Sequence, residues 1–220
     1  MHVIVLAAQK GGCGKSTLAV GLAIAAMDAG QRVGMIDADP QGTISNWGRR
    51  RTNPEPCIEP ADSGMAIERA ILHLRSDGCT VAIIDTAATN NSLSTSGIGA
   101  ADLCLIPARP SPADIEAALP TLSAVRRLDK RFAFVLNQTP GRSNRVSEAA
   151  MALSGAGVLA LPCIVQRNDH HDALGVGLGV TEYDPHGKAA EEIRDLWRWA
   201  WKSLTTESFE HGQNTIRAAG

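Results

Sequence analysis

The chain lacks any long hydrophobic run. In its 220 residues no stretch approaches the ~20 apolar residues that a membrane-spanning helix requires. The apolar run near the start, Val3–Leu6, is too short for the hydrophobic region of a secretory signal and is followed at once by a glycine-rich segment. We therefore expect a cytoplasmic protein with no membrane span.

The chain also lacks an excess of charge of either sign. Its 21 lysines and arginines stand against 23 aspartates and glutamates, which gives a formal net charge of −2. This balance excludes proteins that hold nucleic acid through a strongly basic overall charge. Any contact with DNA must come from a local patch of basic residues.

Paired cysteines are missing as well. The five cysteines are scattered, and none stands in the Cys-x-x-Cys pattern of many metal sites. We expect them to be reduced thiols, as in a cytosol. Cys79, Cys104 and Cys163 adjoin apolar, strand-like runs and are interpreted as core residues.

The sequence shows no repeat, low-complexity tract or linker, and 44% of its residues are hydrophobic, as in globular proteins. Short apolar runs alternate with helical patterns, which predicts an α/β fold: a mostly parallel, twisted sheet with helices on both faces. We expect one domain over residues 1–204, an exposed loop at residues 49–56 that follows a short helix, and a polar tail at residues 205–220. The predicted strands are His2–Ala7, Arg32–Asp37, Thr80–Asp85, Leu103–Pro107, Phe132–Asn137 and Gly157–Pro162. The predicted helices are Lys15–Ala29, Gly64–Arg75, Pro112–Leu128, Asn144–Ser154 and Gly187–Leu204.

A glycine-rich segment, residues 8–17, connects the first predicted strand to a helical pattern rich in alanine and leucine. Gly11, Gly12 and Gly14 at positive φ would let the backbone curl so that successive N–H groups point at one phosphate chain, and the next helix adds its positive end. In such a P-loop, Lys15 supplies a charge to the β- and γ-phosphates, and the Ser16 hydroxyl is placed to ligate Mg²⁺. The predicted nucleotide-binding residues of this segment are Gly11, Gly12, Cys13, Gly14, Lys15, Ser16 and Thr17.

Carboxylates follow two of the predicted strands. Asp37 and Asp39 come at the end of the second strand, and Asp85 ends the third after four apolar residues. Open α/β sheets bind ligands at the carboxyl ends of their strands. Ser16, Asp37 and Asp85 are therefore the predicted metal-binding residues, directly or through water. An alternative for Asp39 is that it caps a helix before Pro40.

A further polar residue, Asn137, ends the strand that begins at Phe132. An amide side chain at this edge can pair its donor and its acceptor with an adenine. Asparagine also favours turns, so a structural role remains the alternative. The loop at residues 163–167 could cover the base.

The second lysine of the glycine-rich segment, Lys10, resembles the signature lysine of the deviant Walker A family, which includes the ParA and MinD ATPases and the nitrogenase iron protein. Asp37–Gln41 resembles switch I of ParA proteins, and Val81–Asp85 has the Walker B form. The pair Ala87–Ala88 departs from the proline or glycine that relatives often carry in switch II. Residues 162–193 resemble the closing third of small ParA-type proteins of the ParF and McdA groups.

This resemblance implies a Mg²⁺-dependent ATPase that hydrolyses ATP slowly and forms a homodimer with ATP. Lys10, Lys15 and Asp39 would be the catalytic residues: Lys10 reaches the phosphates held by the other subunit, and Asp39 orients the attacking water. It further implies non-specific DNA binding, a location on the nucleoid, and a ParB-, ParG- or McdB-like partner protein that stimulates hydrolysis. Such proteins position a plasmid, a chromosome or a cargo such as a carboxysome. Because no long segment precedes the P-loop, we do not expect a helix-turn-helix domain.

Two alternatives belong to the same family. A MinD-like ATPase that cycles on membranes would need an amphipathic helix at its C-terminus, whereas Thr205–Gly220 is polar with a single phenylalanine. An electron-transfer ATPase like the nitrogenase iron protein would need two exposed cysteines, whereas Cys79 and Cys104 are expected to be buried.

The candidates for contact with DNA are basic residues of the C-terminal third: Arg167, Lys188, Arg194, Arg198 and Lys202. The same charges could instead pair with Glu191, Glu192 and Asp195 at helical spacing and form a solvated face. A second basic cluster, residues 126–131, has the same two interpretations. The apolar stripe of the last predicted helix is interpreted as core packing.

Overall fold

Seven parallel strands form the sheet in the part of the chain that the structure, a computed structural model, describes: residues 1–89, 91–141 and 143–206. The strands are β1 (His2–Leu6), β2 (Val33–Ala38), β3 (Cys57–Pro60), β4 (Val81–Thr86), β5 (Leu103–Ala108), β6 (Phe132–Leu136) and β7 (Leu159–Ala160). They lie in the order β3-β2-β4-β1-β5-β6-β7, and every pairing between them is parallel.

Helices cover both faces of this sheet. Within the described residues they are α1 (Lys15–Asp28), α2 (Thr43–Gly48), α3 (Gly64–Ser76), α4 (Ser92–Ala100), α5 (Pro112–Arg127), α6 (Asn144–Ala156), α7 (Asn168–Gly175), α8 (Val180–Tyr183) and α9 (Lys188–Thr205). One hydrophobic core lies between the sheet and α1 with α9, and a second lies under α3 to α6. Because both faces are covered, the central strands β2, β4 and β5 are buried at every residue.

The register of the central strands sets the position of the candidate site. Leu6, at the end of β1, lies opposite Asp85 of β4 and Leu105 of β5. Asp37 of β2 lies opposite Asp85 in turn. The chain continues from β1 to strands on one side and later returns to β5 on the other side. The end of β1 is therefore the point of the sheet where ligands bind in open α/β folds.

The structure confirms the predicted α/β class, and each predicted strand and helix overlaps an observed one. The sequence pattern missed β3, α4, α7 and α8. β3 is a short edge strand that ends in a proline, and α4 contains three serines and two glycines, which are weak helix formers. α7 and α8 have only eight and four residues, which is too short for a clear periodicity.

The apolar stripe of α9 packs into the core as predicted, because Ile193 and Leu196 have no exposed surface. The three cysteines interpreted as core residues differ from one another. Cys104 is completely buried, whereas Cys79 and Cys163 are only partly buried and pack against the second core from its margin.

The predicted polar tail at residues 205–220, on which the argument against a MinD-like membrane helix depends, lies almost entirely outside the described residues, which end at Thr206. Among the helices that the structure does describe, none combines the length and the apolar character needed to cross a bilayer.

Arg51 ties the segment after α2 to the C-terminal third of the chain. The loop at residues 49–56 was predicted to be exposed, and Arg50 is, but the Arg51 side chain is only 2% exposed. Its guanidinium donates to both carboxylate oxygens of Glu182 at 2.9 Å and lies 4.6 Å from the centre of the Trp47 ring. A bidentate pair of this kind fixes the geometry of both segments as well as their charge.

The ion pair with Arg51 also lowers the pKa of Glu182. Burial alone would raise the pKa of Glu182, but hydrogen bonds from Arg51 and from the Gly179 N–H hold this pKa below its ordinary value. A carboxylate with a lowered pKa contributes stability above the ordinary pKa of its type, and that contribution is lost as the pH falls through the lowered pKa.

We predict that Arg51→Ala lowers the free energy of unfolding by about 2–3 kcal/mol, because it leaves a largely buried carboxylate unpaired; the value lies below that for a fully buried pair since Glu182 is partly exposed. The loss should shrink in acid, as the pH falls from the ordinary pKa of a glutamate through the lowered pKa of Glu182. Urea denaturation at several pH values measures both effects. Arg50→Ala is the matched control and should stay within about 0.5 kcal/mol of wild type; equal losses in the two variants would contradict the assignment.

Candidate nucleotide-binding site

The glycine-rich segment forms the loop between β1 and α1. Gly12 and Gly14 adopt left-handed φ values of 75° and 89°, which glycine tolerates without strain. The expected positive φ at Gly11 is wrong, because this glycine does not lie in the left-handed region. α1 begins at Lys15, and its first turn holds no acidic residue. The free N–H groups of the helix start therefore retain their positive potential for an anion.

Lys15 lies in this first turn and is 6% exposed. In the described ranges no carboxylate forms an ion pair with it. A buried ammonium group without a counter-ion beside a curled loop of N–H groups is a favourable position for a phosphate group.

Asp85 is the second buried charge of the site. The residue has no exposed surface, and neither of its carboxylate oxygens has a hydrogen-bond partner. Burial raises the pKa of Asp85 to about 7, although the neighbouring Ser16 hydroxyl and the Lys15 charge act to lower it. Two unpartnered oxygens beside a hydroxyl are the donor set that a hard cation requires.

These residues fit a Mg²⁺ ion. Magnesium is usually held by one or two protein oxygens together with phosphate oxygens and water, so a dense cluster of ligands is not needed. The described residues contain no cluster of three or more histidines, cysteines or acids that could hold a metal by itself. Asp85 and Ser16 would hold the ion, which would bring a charge that draws the β- and γ-phosphates to the loop.

The carboxylate of Asp37, also predicted to bind metal, accepts hydrogen bonds from its own chain. One carboxylate oxygen accepts hydrogen bonds from the Ser45 N–H at 2.9 Å and from the Ser45 hydroxyl at 2.5 Å, and the other accepts from the Asp39 N–H at 3.3 Å. Asp37 therefore shapes the turn after β2, and its role as a metal ligand, directly or through water, stays a prediction.

Asp39 lies in that turn and is partly exposed. Its carboxylate accepts a hydrogen bond from the Gln41 N–H at 3.0 Å. The helix that follows is capped by Gly42, so Asp39 does not cap a helix. Its carboxylate thus stands near the carboxyl ends of the strands, in a position open to solvent.

Asn137 and Gln138 lie directly beyond β6 and contact the P-loop. The Asn137 Nδ2 donates to the carbonyl oxygen of Cys13 at 2.7 Å, and the Gln138 Nε2 donates to that of Gly12 at 3.1 Å. One N–H of the Asn137 amide is therefore engaged within the chain. Its other N–H and its carbonyl oxygen remain for a base.

A cleft runs from Asn137 along α1 to the loop after β7. Its walls include Thr17, Leu18 and Gln138, together with residues 164–167 of that loop. That this loop covers a base stays a prediction. His170 and His171 also line it, which the sequence reasoning missed. The Nε2 of His170 is buried without a partner, and burial lowers the pKa of this histidine.

Lys10 lies at the mouth of the loop and is paired within the chain. Its Nζ is 2.7 Å from Asp114 Oδ2, near the start of α5, and its side chain is 32% exposed. The same carboxylate accepts from Arg109 Nε at 3.0 Å and from the Ser111 hydroxyl. Burial alone would raise the pKa of Asp114, but hydrogen bonds from these three side chains hold it below its ordinary value.

The sequence analysis missed Asp114, Arg109 and Ser111. The pattern Ser111-Pro112-Ala113-Asp114 is typical of a helix start, and the Ser111 hydroxyl does accept a hydrogen bond from the Asp114 N–H. That signal predicts the beginning of α5. It does not predict that Asp114 meets a lysine 104 positions earlier in the chain.

The five basic residues proposed for DNA contact differ in their pairing. Arg167 is 2.6 Å from Glu192, Arg198 pairs with Asp195, and Arg194 donates to the backbone carbonyl of Pro185. Lys188 and Lys202 are exposed and form no ion pair with the described part of the chain. The pairing with acids that the sequence left open therefore occurs for Arg167 and Arg198.

The geometry is that of a loop for phosphate groups with a cation site beside it. The family model described as the CobQ/CobB/MinD/ParA nucleotide binding domain matches residues 4–180. The chain belongs to this family.

Individual relatives support the same assignment. The maintenance of carboxysome distribution protein A of Halothiobacillus neapolitanus is 28% identical over 204 residues, which cover 88% of this chain and 93% of the relative. Protein ParA of Rhizobium radiobacter is 33% identical over 126 residues, 57% of this chain and 56% of the relative. The structure of an ATP complex of an McdA variant from Cyanothece is similar with a TM-score of 0.75 at 19% identity, covering 96% of this chain and 99% of that one, and shows that the fold is shared.

We predict that Asp85→Asn removes the Mg²⁺ dependence of nucleotide binding without lowering the stability of the free protein. The uncharged amide avoids the cost of an unpartnered buried carboxylate, so the thermal midpoint of the free protein should be unchanged or higher. Calorimetric titration of ADP with and without Mg²⁺ measures the first effect, and a thermal melt measures the second. Asp62→Asn, at an exposed acid outside the site, is the control; a variant of Asp85 that still binds Mg²⁺–ADP like wild type contradicts the assignment.

Proposed function

We propose that this chain is a Mg²⁺-dependent ATPase that dimerises around ATP, binds DNA without sequence preference and positions a cargo, with slow hydrolysis that a partner protein stimulates. The observation that carries the proposal is the combination at the P-loop of a buried Lys15 without an ion pair and a buried Asp85 without a hydrogen-bond partner. Two buried charges without partners need a ligand that carries both signs, and a nucleotide with its Mg²⁺ is such a ligand.

ATP is the proposed nucleotide. The Asn137 carbonyl oxygen, at one end of the cleft beside α1, can accept a hydrogen bond from the amino group of adenine. Guanine carries a carbonyl oxygen in place of that amino group, so the same contact would bring two acceptors together. Gly11, Gly12, Cys13, Gly14, Ser16 and Thr17 complete the proposed nucleotide site, and Asp37 would act on the ion through water.

We propose that the charge of Lys10 serves the dimer. Within one chain Lys10 is redundant, because Lys15 already faces the phosphate position and Lys10 itself is paired with Asp114. A lysine at the mouth of the loop, partly exposed, can neutralise the phosphates held by a facing subunit. Asp39, which is partly exposed and lies beyond β2, is the proposed acid that orients the attacking water.

The proposed cargo follows from the relatives. The relatives that span most of this chain are named for carboxysome distribution, and the ParA relative covers a shorter part. We propose a carboxysome-like organelle or a plasmid as the cargo, a nucleoid location in the cytoplasm, and a partner of the McdB, ParB or ParG type. One domain over residues 1–204 carries the whole of this activity.

Two variants should separate assembly from hydrolysis. We predict that Asp39→Ala binds ATP, hydrolyses it at less than about a tenth of the wild-type rate and accumulates as a dimer, because water is no longer oriented. Lys10→Ala should bind ATP and remain a monomer. Light scattering with a non-hydrolysable ATP analogue and a phosphate-release assay measure both properties.

Arg69→Ala is the control for Lys10→Ala, because it removes one exposed cation from α3 and leaves the Asp114 carboxylate with both of its cations. This variant should still dimerise. A wild-type protein that stays monomeric with the analogue, or an Asp39→Ala protein that hydrolyses ATP at the wild-type rate, would contradict the proposal.

DNA binding is proposed for the face of α9. Because Arg167, Arg198 and Arg194 have acceptors in the chain, Lys188 and Lys202 are the cations of this face whose charges are not engaged by the described residues. Two such lysines in each subunit would give a dimer four, which is a modest patch for a duplex backbone.

We predict that Lys188→Ala with Lys202→Ala weakens binding of every duplex to a similar extent in the presence of ATP. Each neutralised phosphate contributes about 0.9 to the slope of log affinity against log salt, so losing two should flatten this slope by about 2 per subunit. Gel-shift titrations of unrelated duplexes at several salt concentrations test this. The control is Arg69→Ala with Arg75→Ala, which removes two exposed charges from α3 on the opposite face of the sheet; equal losses in both double variants argue against a patch on α9.

A further inference from the structure

Two amide side chains from the end of β6 hold two consecutive peptide groups of the P-loop. Asn137 donates to the carbonyl oxygen of Cys13, and Gln138 donates to the carbonyl oxygen of Gly12. These carbonyls belong to the peptide groups between Cys13 and Gly14 and between Gly12 and Cys13. Each of the two peptide planes is thus fixed by one donor from the same turn of chain.

Fixing the carbonyl also fixes the N–H group of the same peptide. A trans peptide is planar, and its C=O and N–H point in opposite directions. When Gln138 holds the Gly12 carbonyl toward the end of β6, the Cys13 N–H must point to the other side of the loop. Asn137 has the same effect on the Gly14 N–H. Both N–H groups therefore point away from β6, and successive N–H groups that point to one side of a curled loop can bind an anion.

The residue that makes the contact with Gly12, Gln138, has an unusual backbone conformation. Gln138 has a φ of 52°, in the left-handed region, and Asp129 is the other non-glycine residue found there among those that the structure describes. For a residue with a Cβ this conformation is unfavourable, and it persists where the surroundings require it. The conformation at Gln138 accompanies the contact of its side chain with Gly12.

Gly14 shows how closely this turn approaches the loop. A Cβ built on Gly14 would collide with the Asn137 Nδ2 and would lie 3.3 Å from the Gln138 Nε2. The two amides therefore lie directly against the loop backbone, where they can resist rotation of its peptide groups.

We propose that Gln138 is a positioning residue for phosphate binding, which orients the Cys13 N–H by holding the carbonyl of the same peptide group. This proposal rests on the proposed nucleotide-binding function. Gln138 itself does not touch the nucleotide in this role; it acts through the peptide between Gly12 and Cys13, while Asn137 holds the next peptide independently.

Two substitutions of Gln138 test the proposal. Gln138→Gly removes the donor and accommodates the left-handed φ, so the thermal midpoint of the free protein should be unchanged or higher. Gln138→Met keeps the length of the side chain and removes the donor without adding a charge beside the loop. Both variants should bind ADP about three- to fivefold more weakly in calorimetry, the range expected for a single partly exposed hydrogen bond.

A spectroscopic readout separates positioning from general damage. In amide NMR spectra of the free protein, the Cys13 N–H resonance should shift in both Gln138 variants, whereas that of Gly14 should stay near its wild-type position because Asn137 still holds its peptide. Asp129→Gly is the matched control, since it makes the same backbone change at the other left-handed residue, away from the loop, and should leave ADP affinity and the Cys13 resonance unchanged.

The outcomes are distinguishable. If wild type binds ADP and both Gln138 variants bind it equally well, the positioning role is wrong while the proposed nucleotide binding stands. If affinity falls only in proportion to a fall in thermal stability, and the Cys13 and Gly14 resonances move together, Gln138 is merely structural and the proposal is overturned. A wild-type protein that does not bind ADP overturns both this proposal and the proposed function.

Discussion

The site depends on one electrostatic constraint: a carboxylate buried at the end of a central strand with no partner. Removing a charge from water without pairing it is costly, and at Asp85 the cost is met partly by protonation, since burial raises its pKa to about 7. Neighbouring acids do not share this condition, because Asp37 is bonded to Ser45 and Asp114 to two cations. Among the described carboxylates at this edge of the sheet, Asp85 is the one whose oxygens have no hydrogen-bond partner. A ligand that brings a cation to Asp85 therefore stabilises it.

The P-loop is held by contacts from segments that are far from it in the sequence. Asp114 of α5 holds Lys10 at its mouth, and the turn after β6 holds the carbonyls of Gly12 and Cys13. A loop with three glycines has many accessible conformations, and each fixed peptide group removes part of the entropy that a phosphate would otherwise have to remove on binding. Preorganisation by distant side chains explains how so flexible a sequence can present N–H groups in one direction.

Much of the fold and most residues of the site could be predicted from the sequence. The contacts that these residues make with one another could not. Apolar runs, the glycine-rich segment and the acids at strand ends are local patterns, so the parallel sheet and the positions of Lys15 and Asp85 could be predicted. The burial of Arg51 could not, because it depends on Glu182 arriving 131 positions later. For the same reason the partners of Lys10 and the left-handed turn at Gln138 had no signal, and the expected base contact of Asn137 gave no hint of its bond to Cys13.

The arrangement around Asp114 has a consequence for the dimer that we propose. If Lys10 alone neutralised this buried carboxylate, moving Lys10 to the phosphates of a second subunit would leave an unpaired charge behind, which is among the more costly changes in a protein interior. Arg109 and the Ser111 hydroxyl contact the same carboxylate, so Asp114 keeps a cation and a hydrogen bond after Lys10 departs. Arg109 is itself more exposed than Asp114, and it can remain paired without further burial. The cluster thus holds Lys10 in the free chain and lowers the free-energy cost of moving it to the second subunit. The same lysine is therefore available to two partners in turn.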